Sequence, residues 1–288
     1  MPVAVVTDST AYLPAELNGT YHLTVVPLTV VINGAEGLEG VEISPAEVAR
    51  ALGGRRATVS TSRPAPAQFV AAYRRLQDAG ADGIVSVHLS ARLSGTFDAA
   101  SMAAAEVGPH VQVVDSKTTG MGLGFAALAA TTAAAHGASL EEVRQTADDH
   151  AARVSTLFYV DTLEFLRRGG RIGAASALLG TALSVKPILH VVDGSIVVRD
   201  RVRTAGRALA RLVDLAVDAS GAGEVDIAVH HLGAPDRAAA LADAVAMRLG
   251  DRLRDCYITE IGAVVAAHVG PGVAGVVVHR RSSPSAAF

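Results

Sequence analysis

Short apolar runs that end in hydroxyl residues recur through the first 120 residues of the chain. The runs cover residues 3–6, 57–59, 84–89 and 111–114, and Ser or Thr residues follow each of them. Helical patterns lie between them, and such β-α alternation predicts a mostly parallel sheet with helices on both faces. The carboxyl ends of the strands then share one edge, so we expect the hydroxyl groups to face a common ligand-binding cleft there.

The same patterns predict the elements of the first half. We expect strands at 3–7, 23–32, 83–89 and 111–115, with Asn33-Gly34 as a hairpin signal. We expect helices at 12–18, 44–52, 66–79, 95–107, 120–136 and 139–153, several with an N-terminal capping box.

Composition shifts near residue 153, and a second α/β unit is predicted beyond it. Strands are expected at 155–160, 185–192, 195–201, 225–231, 255–261 and 273–279. Helices are expected at 161–168, 174–183, 203–219 and 235–250. We therefore predict an N-terminal domain at 1–153, a C-terminal domain at 154–280 and a flexible tail at 281–288.

Composition excludes several classes of protein. A single cysteine, Cys256, rules out an internal disulfide and a CxxC metal site. We expect no bound metal and no cofactor. A net charge of −3 argues against a general nucleic-acid binder. We see no signal peptide and no apolar run long enough to span a membrane, and we expect a cytoplasmic protein.

The hydroxyl clusters are candidate anion-binding groups. Hydroxyls donate to anionic oxygens, and a helix N-terminus adds free N–H groups and a positive dipole. The alternative is that each Ser or Thr only caps a helix. The density of Ser60-Thr61-Ser62, and Gly95 in Leu93-Ser94-Gly95-Thr96, favour ligand binding. Asp8 and Asp115 are expected to cap turns rather than to bind a metal.

The second half contributes three further candidates. Arg171 follows Gly169-Gly170, a turn that can direct a guanidinium toward a carboxylate or phosphate, although the segment also fits a helix C-terminus. His268 lies in an apolar stretch before Gly270-Pro271-Gly272 and is either a buried core histidine or a group that contacts an anion. A basic run that includes Arg199, Arg201 and Arg203 is either a solvated face or a docking surface for an acidic partner or lipid head group.

Seven segments together resemble the DegV family of bacterial fatty-acid-binding proteins, the acyl-carrying subunits of fatty acid kinase. They are Thr7-Asp8-Ser9-Thr10 with Leu13-Pro14, Thr61-Ser62-Arg63-Pro64, Leu93-Ser94-Gly95-Thr96, Val114-Asp115-Ser116-Lys117, residues 161–172, Lys186-Pro187-Ile188 and residues 268–272. Each segment is weak alone, but seven in order across nearly the whole chain are specific.

The resemblance implies a two-domain DegV-like α/β fold that binds a long-chain fatty acid between its domains and catalyses nothing itself. Its carboxylate would be held by Thr61, Ser62, Ser94, Gly95 and Thr96, with Arg171 and His268 nearby. A separate ATP-dependent kinase subunit would convert the acid to acyl phosphate for phospholipid synthesis, and the carrier would make at most transient contact with a membrane. The chain departs from the family at Arg63, where Gln is usual, and this charge is expected to alter the rim of the head-group site.

An enzymatic alternative remains open on the residues alone. A hydrolase or phosphotransferase could use His268 as base or phosphate acceptor on a small phosphorylated substrate. No catalytic triad, Walker loop or GxGxxG fingerprint is visible in the sequence, which favours the carrier. A purely structural or regulatory partner protein is a third reading, and it predicts no bound small molecule.

Overall fold

Strands and helices alternate through two compact units in a computed structural model, which describes residues 2–18, 22–54, 57–178 and 185–282. The first unit runs to Ala152 and also includes Asp193–Ser195 and Ile261–Ala267. The second comprises Arg153–Val192, Ile196–Glu260 and the chain from His268 onward. Two short segments from the second half of the sequence thus belong with the first unit.

The strands of the first unit are β1 (Val3–Asp8), β2 (Leu23–Val26), β3 (Thr29–Ile32), β4 (Ala35–Leu38), β5 (Val59–Ser62), β6 (Gly83–His88) and β7 (Val111–Asp115). Its helices are α1 (Ala15–Asn18), α2 (Pro45–Gly53), α3 (Pro66–Asp78), α4 (Thr96–Val107), α5 (Met121–Ala135) and α6 (Leu140–Ala152).

Four parallel strands in the order β2-β1-β6-β7 form the main sheet of this unit. Helices α3 and α4 cover one face, where Phe69 and Tyr73 are fully buried, and α5 and α6 cover the other, where Leu123 and Val143 are fully buried. Burial of each large apolar side chain contributes roughly 1.5–3 kcal/mol, so both layers stabilise the sheet. The predicted α/β class, with a mostly parallel sheet and helices on both faces, is confirmed.

The prediction of one strand over 23–32 is wrong. The segment forms two strands in different sheets, β2 beside β1 and β3 beside β4 and β5. Pro27 lies between them and has no N–H to donate to a ladder, so pairing stops there. The backbone N–H of Leu28 instead donates to Ser9 Oγ at 3.0 Å.

Ser60, Thr61 and Ser62 are not at the carboxyl edge of the parallel sheet, contrary to expectation. They lie inside β5, in a three-stranded antiparallel sheet ordered β4-β3-β5, where Thr61 pairs with Val30. Exposed residues alternate with half-buried ones along this strand. The hydroxyls therefore continue the strand rather than mark its end.

The strands of the second unit are β8 (Val154–Tyr159), β9 (Lys186–Val192), β10 (Ser195–Val202), β11 (Val225–His231), β12 (Leu253–Glu260) and β13 (Ala274–Arg280). Its helices are α7 (Glu164–Arg168), α8 (Ala205–Ser220) and α9 (Pro235–Leu249), and α10 (Ala263–Val269) passes from the first unit into the second. No sequence pattern had predicted α10.

A mixed sheet in the order β10-β9-β8-β13-β11-β12 organises this unit. β11 and β12 are parallel, whereas β13 is antiparallel to both β11 and β8. Helices α8 and α9 pack on one face, where Leu212 and Val245 are fully buried against Ile227 and Val276. The predicted second α/β unit is therefore present.

Several predicted boundaries change. The helix predicted at 161–168 begins only at Glu164, because the Asp161 carboxylate bonds to Tyr159 and Lys186 instead of capping. Of the helix predicted at 174–183, the structure describes a 3₁₀ turn at Gly173–Leu178, and residues 179–184 lie outside the described chain. Residues 283–288 of the predicted tail also lie outside it.

Candidate functional site

The carboxyl ends of β1, β6 and β7 lie side by side and carry acidic and imidazole groups. The Asp8 carboxylate accepts from His88 Nδ1 and from the Leu89 N–H, both at 3.0 Å, and from the backbone and hydroxyl of Thr10. Asp115 Oδ1 accepts from the N–H groups of Lys117 and Ala91. Both aspartates therefore cap turns, as expected from the sequence.

Asp8 and His88 continue into a chain of hydrogen bonds that the sequence did not reveal. His88 Nε2 accepts from Ser86 Oγ at 2.7 Å, and Ser86 Oγ accepts from the Tyr73 hydroxyl at 2.8 Å. Because a carboxylate only accepts hydrogen bonds, the ring proton of His88 is assigned to Nδ1, and Nε2 is the acceptor. This Asp-His-Ser order is that of a catalytic triad, but Ser86 is fully buried and its hydroxyl is already bonded on both sides. The chain stabilises the interior of the unit and is closed to a substrate.

The predicted Ser94-Gly95-Thr96 motif forms the start of α4. Ser94 Oγ lies 2.9 Å from Thr96 Oγ1 and accepts from the Thr96 N–H at 3.3 Å. Ser94 is half-buried, whereas Thr96 is fully buried. Ser94 thus precedes the N-cap residue Gly95, and it stays partly accessible at a helix N-terminus, where a bound anion gains from the dipole.

The end of β5 comes to this motif through Arg63. Its guanidinium donates from Nη1 to the Gly95 carbonyl at 3.4 Å. A Cβ on Gly95 would lie 2.5 Å from the same nitrogen, so the absence of a side chain there makes room for Arg63. Ser62 is exposed next to Arg63, and Thr61 is half-buried. The first unit therefore brings the segment 61–63 to the loop that carries Ser94, Gly95 and Thr96.

Arg171 and His268 meet around Gly169 in the second unit. Arg171 Nη1 donates to the Gly169 carbonyl at 2.6 Å, and the His268 ring packs so closely on Gly169 that a Cβ would overlap its Nδ1. Burial, and secondarily the charge of Arg171, lower the pKa of His268 to about 4. His268 is therefore neutral at pH 7, and the cation of this pair is Arg171.

The Gly270-Pro271-Gly272 turn fits against the residues that precede the Arg171 loop. A Cβ on Gly270 would overlap the Phe165 ring, and one on Gly272 would overlap the Asp161 carboxylate. Both glycines have positive φ angles, +72° and +84°, which also disfavour other residues. The two glycine-containing motifs of the second unit are thus complementary surfaces that hold His268 over Gly169.

A buried carboxylate, Glu39, was missed by the sequence reasoning. It accepts from the hydroxyls of Ser9 and Tyr12 and, at 2.7 Å, from the Val264 N–H, so it caps α10. Burial raises the pKa of Glu39, and burial together with the Glu39 charge raises the pKa of Tyr12 well above its ordinary value. A mainly apolar cavity of about 360 Å³ lies beside these groups, and none of the predicted ligand-binding residues lines it.

Of the three arginines predicted to contact a partner, Arg199 and Arg201 lie on β10, an edge strand, and Arg203 directly follows its last residue. Arg199, Arg201 and Arg203 occupy alternate positions and are exposed. Among the described residues, the salt bridges of this region join Arg211 to Asp200 and Asp214 and leave these three arginines out. We call these three exposed arginines at the end of β10 the basic strip.

The described ranges 2–18, 22–54, 57–178 and 185–282 contain neither a candidate membrane span nor a candidate metal site. No helix there is both long and apolar enough to cross a bilayer. No group of three or more His, Cys, Asp or Glu side chains in these ranges could hold a metal ion.

Known proteins resemble this chain over its whole length. The DegV domain-containing protein SCO2569 of Streptomyces coelicolor is 55% identical over 97% of this chain and 99% of its own. A fatty-acid-binding DegV family protein from Thermus thermophilus has a TM-score of 0.92 at 35% identity, covering 98% of this chain and 100% of its own. DegV, a fatty acid binding protein from Bacillus subtilis, has a TM-score of 0.87 at 32% identity, with the same coverage.

The family assignment rests on both sequence and structure. The family model for DegV, described as an uncharacterised protein family, matches residues 2–281. The resemblance inferred from seven short segments is thereby confirmed, and this chain belongs to the DegV family.

Proposed function

We propose that this protein is a non-catalytic carrier that binds one long-chain fatty acid. The observation that carries the proposal is the similarity to the fatty-acid-binding protein of T. thermophilus, with a TM-score of 0.92 over 98% of the chain. Each buried CH₂ contributes about 0.8 kcal/mol, so the acyl chain supplies most of the binding energy and the polar groups orient the carboxylate.

The proposed carboxylate ligands in the first unit are Thr61, Ser62, Ser94, Gly95 and Thr96. Support comes from the approach of the 61–63 segment to Gly95 and from the accessible Ser94 hydroxyl at the start of α4. Arg171 and His268 are the proposed ligands in the second unit. The charge of Arg171 suits a carboxylate, and neutral His268 can donate a hydrogen bond without repelling Arg171.

An enzymatic role for His268 has less support. A general base works best when its pKa lies near the working pH, and burial lowers the pKa of His268 to about 4. The Asp8–His88–Ser86 chain offers no alternative nucleophile because Ser86 is fully buried. The hydrolase or phosphotransferase reading therefore ranks second to the carrier.

We further propose that a separate ATP-dependent kinase phosphorylates the carboxylate to an acyl phosphate and docks on the basic strip of Arg199, Arg201 and Arg203. The support is the exposure of these arginines at the end of an edge strand, and none of the three takes part in a salt bridge among the described residues. Charge reversal at Arg201 and Arg203 should raise the kinase KM for the loaded carrier while fatty acid content stays constant. An unchanged KM would remove this docking surface.

The test of the carrier proposal is native mass spectrometry of the purified protein, followed by extraction and identification of the lipid. We expect one fatty acid per chain, and a Ser94→Ala variant should lose it about fivefold faster because one hydrogen bond is gone. Ser44→Ala is the matched control, since the Ser44 hydroxyl also accepts from a backbone N–H at a helix start but Ser44 is not a proposed ligand. A chain without lipid that also fails to take up added fatty acid would refute the proposal.

A further inference from the structure

The turn between β9 and β10 contacts the loop of the first unit at residues 89–95, which joins β6 to α4 and carries Ser94 and Gly95. Asp193–Ser195 belongs to that unit, although both strands continue into the second. The Ser90 hydroxyl donates to the Gly194 carbonyl at 2.8 Å, and Arg92 Nη1 lies 3.4 Å from Ser195 Oγ. Ser90 and Gly194 are both buried, so this hydrogen bond is shielded from water.

Ser90 also determines the backbone of the loop that leads to Ser94. Its N–H donates to the Thr118 carbonyl at 2.8 Å, and its carbonyl accepts from the N–H groups of Leu93 and Ser94 at 2.9 and 3.1 Å. Its hydroxyl accepts from the Arg92 N–H at 3.1 Å. Every polar group of Ser90 is therefore used, and its hydroxyl joins the turn to the residues that place Ser94.

Position 194 requires glycine for two reasons, one of backbone conformation and one of space. Its φ angle is +78°, which favours glycine, and a Cβ would overlap Ser90 Oγ. At the Asn33-Gly34 turn only the backbone reason applies, because Gly34 has a φ angle of +86° but no atom would lie within 4 Å of a Cβ there. Asn33 and Asp193 both have positive φ as well, so the two turns share the same backbone type. Of these two turns, only the one at Gly194 needs glycine to make room for a neighbouring side chain.

We infer that Ser90 and Gly194 are positioning residues for fatty acid binding, acting through the loop that carries Ser94, Gly95 and Thr96. The inference rests on the proposed function. The Gly194 carbonyl holds the Ser90 hydroxyl, and Ser90 fixes the direction in which Ser94 meets the carboxylate. Loss of this contact keeps the ligand hydroxyls in the chain but changes their direction, so it accelerates release of the fatty acid more than it destabilises the fold.

The test compares dissociation rates of a fluorescent long-chain fatty acid after mixing with excess unlabelled acid. Gly194→Ala should accelerate release about tenfold, and Ser90→Ala about fivefold. Gly34→Ala is the control for backbone strain and should release the acid at the wild-type rate despite a similar drop in melting temperature. Ser90→Thr keeps the hydroxyl and should restore slow release.

The double variant Ser90→Ala with Gly194→Ala adds an independent check, since removal of Oγ makes room for the new Cβ. It should release the acid no faster than Gly194→Ala alone, which is the non-additivity expected of residues in contact. Equal rates for wild type, Ser90→Ala and Gly34→Ala would overturn the inference and leave the carrier proposal intact. A wild-type protein that binds no fatty acid would overturn the carrier proposal itself.

Discussion

Arg63 offers the sharpest test of the head-group site, because its position is unfavourable unless an anion is bound. Its guanidinium lies at Gly95, the N-cap of α4, where the helix dipole is positive. No salt bridge within the described ranges includes Arg63. A cation in this place loses roughly 0.3–1 kcal/mol in the empty protein and gains when a carboxylate arrives.

The size of that gain follows from Coulomb's law. An anion bonded to the Ser94 hydroxyl would lie roughly 6 Å from the guanidinium, and the effective dielectric constant ranges from about 20 near a protein surface to about 80 in bulk water. The attraction is then roughly 0.7–3 kcal/mol, and because Arg63 is exposed we take about 1 kcal/mol, which corresponds to about a fivefold change in dissociation constant. Arg63→Gln should therefore weaken fatty acid binding about fivefold at low ionic strength, and less at high salt.

Arg50→Gln is the matched control for this change. Arg50 is exposed and also donates to a backbone carbonyl at 3.4 Å, but it lies in the last turn of α2, where a cation is favourable. Arg50→Gln should lower the melting temperature slightly and leave binding unchanged. Arg63→Gln should do the reverse, with equal or higher thermal stability in the empty protein and weaker binding.

The assay is titration of a fluorescent fatty acid at several salt concentrations, combined with thermal unfolding of delipidated protein. The reasoning fails if Arg63→Gln binds as tightly as wild type at low salt. It also fails if both arginine variants weaken binding equally, because net charge alone would then explain the result.

Two further perturbations concern the second unit. Gly169→Ala and Gly170→Ala should each destabilise the protein by about 1–2 kcal/mol, the first by overlap with His268 and the second by backbone strain at a φ angle of +70°. Only Gly169→Ala should also impair fatty acid retention, and equal retention by both variants would contradict the proposed role of His268. Acidification should destabilise the protein, because burial lowers the pKa values of His230 and His268 to about 4, so the unfolded chain binds protons first as pH falls below about 6.5. Each histidine should contribute up to about 2 kcal/mol of loss between pH 7 and 5. The free energy of unfolding, measured with urea at pH 7 and pH 5, should fall less for His230→Asn than for the wild type. An equal fall for both proteins would refute the assignment of this loss to His230.

Apolar periodicity was sufficient to predict the two α/β units, because their strands and helices carry local signals. Strand β11 (Val225–His231) and the hairpin at Asn33-Gly34 agree with the predictions. The split at Pro27 had a visible signal, since proline cannot pair within a ladder, but the flanking valines concealed it. Helix α10 could not be predicted, because its N-terminal cap, Glu39, lies more than 200 positions earlier in the chain.

The candidate site was predictable only in part, for a similar reason. Hydroxyls beside a glycine correctly predicted the start of α4, because they are local signals of a helix N-terminus, and anion binding by the same groups stays a prediction. The positions of Arg63 and Gly194 next to that loop depend on contacts between residues distant in sequence. No local signal in the sequence shows that His88 is enclosed, and only its bonds to Asp8 and Ser86 reveal it.

The glycines of the second unit show why the family motifs have the residues they do. Gly169, Gly270 and Gly272 each lie where a Cβ would overlap His268, Phe165 or Asp161. Segments about 100 residues apart therefore constrain each other, and His268 is placed by the absence of side chains around it rather than by a strong local signal. A histidine held in this way stays neutral and in one orientation, so it can serve as a fixed donor to a ligand carboxylate while Arg171 supplies the charge. Under the proposed function, that division suits reversible binding of a fatty acid, since a protonated His268 would be left as a buried charge without a counter-ion each time the ligand leaves.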